Sequence, residues 1–99
     1  MTPRAIRTQA HASPTDAEAA FLADGCSAPS SWSNGPLETY GRHVHGYHKV
    51  LFCLSGSITL HMDDGDIELG AGDRLDLEPE TAHSATVGPR GCRCVEASR

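Results

Sequence analysis

The sequence predicts a small all-β domain, a barrel or sandwich, with one short helix ahead of it. Three observations predict it. From Leu37 onward, β-prone runs and turn signals alternate at short intervals. Within runs such as "DIEL" and "RLDLEP", apolar and polar residues alternate, so each strand has one inner face. Before them, "SPTDAEAAFLADG" carries helix start and stop signals at its two ends. The length, 99 residues, fits one domain.

Residues 1–12 are polar and irregular, and they read as a disordered lead-in that includes His11. Ser13 is placed to cap the helix, Pro14 takes its first position, and Gly25 stands where a left-handed terminal residue belongs. Ala17, Ala20 and Phe21 make a thin apolar stripe, which predicts a helix lying across a sheet. "CSAPSSWSNGP" reads as a loop, with Trp32 plugging one end of the core. Residues 13–36 thus form a helix and Trp loop packed on a barrel of residues 37–99. In that barrel "KVLFCLSG" stops at Ser55-Gly56 and "SITLHM" leads into the turn Asp63-Asp64-Gly65. "DIEL", "RLDLEP", "HSATV" and "CRCVEA" follow. Tyr40, Tyr47 and Phe52 read as packing residues. The acids over 63–80 alternate with Ile67, Leu69, Leu75 and Leu77, so they belong to solvated faces and turns.

Composition excludes several functions. Hydrophobic residues make up 38%, enough for a core. A net charge of −5 argues against a nucleic-acid partner. No apolar run approaches the roughly 20 residues that span a membrane. The first residues lack the apolar core of a secretory signal, so a cytoplasmic location is expected. Cys26, Cys53, Cys92 and Cys94 lack CxxC spacing and read as reduced, small hydrophobes. Cys53 shares strand parity with Lys49 and is expected to face the interior. A domain this small gains from a partner or a bound metal, and a homodimer is expected.

The chemistry concentrates in "GRHVHGYHKVLFCLSG". His43 and His45 are two apart, so on a strand their imidazoles share a face. Two adjacent neutral imidazoles suit a divalent transition metal. His83, at the start of a later strand, is the candidate third ligand. His61 either lines the barrel or hydrogen-bonds on its surface.

The stretch "HVHGYHKVLFCLSG" resembles the first motif of the cupins, and "GDRLDLEPETAH" resembles the second. His43, His45 and Gly56 match the first motif, and Gly72 and His83 the second. The resemblance covers roughly residues 37–97. It implies a cupin double-stranded β-helix or jelly-roll barrel with one short N-terminal helix, and a metal held by His43, His45 and His83. Iron, manganese, nickel and zinc all fit such a set. The chain departs from the family pattern at several positions. Leu37 replaces the opening glycine, and Lys49 stands where a glutamate ligand is usual. Pro79 falls one place late, Glu80 replaces a glycine, and Val87 replaces an asparagine. An ammonium has no lone pair for a metal.

Three arrangements remain open at this point. The three histidines hold a metal alone, or His48 adds a fourth nitrogen through a bulge at Gly46-Tyr47 that flips strand parity. Alternatively no metal binds, and the histidines with Lys49 form a cationic pocket for a sugar or carboxylate. The expected function is a metal-binding cupin acting on a small anionic metabolite in a dioxygenase- or isomerase-like reaction, with Lys49 pairing the substrate anion. The alternative is a non-catalytic small-molecule binding cupin.

Overall fold

The computed structural model describes residues 4–99, with one helix and seven strands among them. In chain order these are β1 (Ala5–Gln9), α1 (Pro14–Ala23), β2 (Ser30–Asn34), β3 (Thr39–His43), β4 (Lys49–Met62), β5 (Gly65–Gly70), β6 (Asp73–Leu77) and β7 (His83–Ser98). The strands form one antiparallel sheet in the order β1-β6-β4-β7-β2, with β3 also on β7 and β5 also on β4. This is a jelly-roll barrel. Among the described residues, no helix is long and apolar enough to cross a membrane.

Two long strands carry the barrel around its corners. The sequence suggests breaks at Ser55-Gly56 and at "GPRG", yet β4 and β7 run through both. Register shifts lie between Cys53 and Ser55 and between Gly56 and Ile58 of β4. Gly56 and Gly91 meet at this bend, both in the left-handed region. A Cβ on Gly56 would stand 1.9 Å from the Gly91 carbonyl oxygen, so only glycine fits. The bend also switches strand parity. On β7, His83, Ala85 and Val87 are buried before it, and Cys92 and Cys94 after it.

Strand β4 is covered on both faces. Leu51 and Cys53 join the interior core with Ile58, Leu60, Leu69, Leu75, Val87 and Cys94. Val50 and Phe52 point the other way and pack against Ala17 and Phe21 of α1. The Phe21 and Phe52 rings meet edge to face at 5.4 Å. The helix begins with a reciprocal capping box. The Asp16 backbone N–H donates to Ser13 Oγ at 3.1 Å, and the Ser13 N–H donates to Asp16 Oδ2 at 3.0 Å.

Two boundaries differ from the sequence expectation. Residues 1–12 read as a disordered lead-in, but β1 pairs with β6 from Ala5↔Leu77 to Gln9↔Asp73, with Arg7 Nε on Asp73 Oδ2 at 3.0 Å. His11 lies against Gly72, and the next residue, Ala12, donates its N–H to the Gly72 carbonyl at 3.1 Å. Residues 1–3 lie outside the described residues. The Trp loop likewise contains β2, paired with β7 from Ser30↔Glu96 to Asn34↔Cys92. The sheet therefore begins well before Leu37. Both strands are polar and short. They gain their order from the edges they cover, which local sequence does not report.

Candidate metal centre

His43 closes β3 and pairs with His83, the first residue of β7. His45 follows two residues past the end of β3. Ring centroids lie 4.2 Å apart for His43–His83, 4.8 Å for His43–His45 and 5.1 Å for His45–His83. One nitrogen from each ring lies within 4.8 Å of the other two. The turn before β7 is tied to the same place, since the Glu80 N–H donates to the His45 carbonyl at 2.8 Å.

Backbone carbonyls choose the tautomers. His43 Nδ1 lies 2.7 Å from the Gly41 oxygen and His83 Nδ1 2.9 Å from the Thr81 oxygen. A carbonyl only accepts, so each Nδ1 carries a proton, and in the neutral ring Nε2 keeps the lone pair. His45 Nε2 is buried with no hydrogen-bond partner, the one such side-chain atom among the described residues. Burial, then the charge of Lys49 and the neighbouring imidazoles, push the His45 pKa down to about 4. Burial lowers His83 as well, against the pull of the Thr81 carbonyl. Neutral imidazoles with free lone pairs are the form in which histidine binds a metal, and outer-shell carbonyls of this kind orient such ligands. The donor set therefore fits a divalent transition metal.

The three rings open on a cavity of about 320 Å³ whose floor is Leu51, Ile58, Leu60 and Ala85. Lys49 lines it too and is only 8% exposed. Its Nζ lies 3.2 Å from Oε2 of Glu96, whose Oε1 accepts from Trp32 Nε1 at 2.7 Å. Lys49 thus points inward, toward a carboxylate already within the chain. Sequence reasoning missed Glu96 and took Trp32 for a plug of the core. A signal was present in "CRCVEA", where Glu96 shares the parity of the two buried cysteines.

His48 does not join the cluster. Strand β4 starts at Lys49 with that side chain inward, so His48 faces out. Its Nε2 lies 3.1 Å from Asp76 Oδ1, among Arg74 and Glu78 on the outer surface. Gly46-Tyr47 forms a bend between strands, not the parity-flipping bulge that a fourth nitrogen would need. His61 also faces outward, between Asp66 at 3.0 Å and Thr86 at 2.8 Å.

The profile of the family described as "Cupin domain" matches residues 34–95. This chain belongs to the cupin family. Among solved structures, this cupin is similar to a DUF861 family protein of Thermotoga maritima, at 10% identity and a TM-score of 0.71, covering 96% of this chain and 99% of that one. It is also similar to an uncharacterised conserved protein with a double-stranded β-helix domain from Klebsiella pneumoniae, at 25% identity and a TM-score of 0.63, covering 71% of this chain and 64% of that one. The polyketide cyclase RemF of Streptomyces resistomycificus gives 23% identity and a TM-score of 0.64 over 72% of this chain and 53% of the cyclase. The chain thus spans less than two thirds of the length of the last two. No curated protein sequence matches this cupin.

Proposed function

We propose that this cupin binds one divalent transition metal (iron, manganese, nickel or zinc) through Nε2 of His43, His45 and His83, and acts on a small molecule held in the adjoining cavity. The observation that supports this most is the buried, unpartnered Nε2 of His45, set beside two rings whose other nitrogens are committed to carbonyls. A bound metal would supply a Lewis acid with open positions for a ligand. The chain's own residues would do the rest. The Gly41 and Thr81 carbonyls fix the donor atoms, and the apolar floor excludes water from one side of the ligand.

The size of the cavity suits a ring-sized metabolite. Because Glu96 already neutralises Lys49, attraction for an anionic metabolite falls to the metal and not to Lys49. A dioxygenase- or isomerase-like reaction suits such a centre. We also place the protein in the cytoplasm, since its four free thiols fit a reducing compartment, and as a homodimer. Elemental analysis of purified protein tests the central point. One metal per chain is expected, absent from His83→Ala. A metal-free protein that binds carboxylates equally well in the presence of chelator would overturn it.

A further inference from the structure

The position that usually carries a fourth ligand holds Lys49, and the partner of that lysine comes from a different strand. We propose that Glu96 and Lys49 are a charge-setting pair for the histidine centre, with Glu96 of β7 supplying an outer anion and Lys49 of β4 cancelling it. The inference rests on the metal-binding reading above.

Three observations carry it. Both side chains line the same cavity as the three histidines. Their charged atoms stand 3.2 Å apart, and the lysine is almost fully buried. Trp32 pins the other carboxylate oxygen at 2.7 Å, which fixes where the negative charge lies. A dication among those rings would meet the opposing fields of the two charges that line the same cavity.

A pair that only supports the fold behaves differently from one that sets the charge of a site. Breaking a buried ion pair from either side leaves an unpaired charge and destabilises the protein. Metal affinity should instead move in opposite directions. Glu96→Gln leaves the ammonium uncompensated and repels a cation. Lys49→Met leaves the carboxylate uncompensated and attracts one.

The test uses the full chain and cobalt(II) alone, titrated by its visible absorption, with thermal melts in parallel. Glu96→Gln should weaken cobalt binding roughly tenfold, and Lys49→Met should tighten it roughly tenfold, the scale typical of outer-shell changes. Both single variants should melt earlier than the wild type. The neutral double variant Lys49→Met/Glu96→Gln should return to within about threefold of wild-type affinity. Each single variant has its own predicted sign, so one that fails to fold leaves the other decisive. Affinities that both fall, or that stay unchanged while the melts shift, would overturn the pair's role and leave the histidine centre standing. A wild-type protein that takes up no cobalt would overturn both.

Discussion

The barrel interior has two regions, each lined by side chains of kinds that can ligate transition metals, and the two differ in almost everything else. At one end His43, His45 and His83 face a cavity, and one buried nitrogen has no partner. At the other, Cys53, Cys92 and Cys94 are buried free thiols in the apolar core. Cys53 and Cys94 are direct cross-strand neighbours. The Cys53 thiol also reaches the Ser55 carbonyl at 3.4 Å, so its hydrogen bonding is met within the protein. Burial holds His45 and His83 toward the neutral form, and the carbonyls that take Nδ1 of His43 and His83 leave their Nε2 atoms turned to the cluster, which readies the site for a cation. Hydrogen bonding to Cys53, then burial, hold Cys94 protonated, and burial does the same for Cys92. A protonated thiol is a poor ligand and a poor nucleophile. The lesson is that residue type alone does not make a site. Space, orientation and an unmet bonding group do.

The sharpest way to break this contrast is to cut each end separately. His83→Ala should abolish metal uptake, as read by elemental analysis. Cys94→Ser should leave uptake unchanged and lower stability by about 1–3 kcal/mol, because it buries a hydroxyl among apolar neighbours. Metal loss in Cys94→Ser with an unchanged melt would reverse the assignment of the two ends.

Titration should separate the ends next. In metal-free protein the folded state keeps His45 and His83 neutral, while the unfolded chain protonates its histidines near 6.5. Between pH 6.5 and about 4 the unfolded state therefore binds more protons, and stability should fall as pH drops. The cysteine end acts on the opposite side. Unfolded thiols ionise near 9, whereas Cys92 and Cys94 resist it when folded, so stability should also fall as pH rises past 9. Melts across this range should show both flanks. Replacing Cys92 and Cys94 should flatten the alkaline flank and spare the acid one.

The smallest effect concerns the turn beside the histidines. Glu80 sits at φ 62°, a left-handed conformation that a side chain disfavours. Glu80→Gly should raise stability by about 0.5–1 kcal/mol, with metal affinity unchanged, since the backbone shape stays the same. A loss of stability in the melt would count against strain at this turn.

Much of the histidine end was legible in the sequence, and the reason is local. His43 and His45 are two apart, and the family spacing that locates His83 rests on turns and strand lengths that each leave a signature. Leu37 and Glu80 make the point from the other side. Both occupy family glycine positions, and both keep a positive φ of 62° without glycine. Both hold a left-handed backbone that glycine would adopt without strain. What escaped depends on which strands lie side by side. Glu96 meets Lys49 only because β7 pairs with β4; the parity of "CRCVEA" turns Glu96 inward but does not name its partner. Strand β1 escaped because its order comes from the edge of β6 and the Arg7–Asp73 pair. Plain strand alternation turns His48 away from His45, and it lies against Asp76 on the outer surface.

Strand β7 pairs with β2, β3 and β4, and it carries both His83 and Glu96. During synthesis the ribosome releases His43, His45 and Lys49 well before it releases that strand. The nascent chain therefore passes through an interval in which two imidazoles and an ammonium stand exposed without the third ring or the balancing carboxylate. Metal capture by the three-histidine centre proposed above would then be a late event that reports completion of the barrel, and a chain stalled short of β7 would hold a metal poorly.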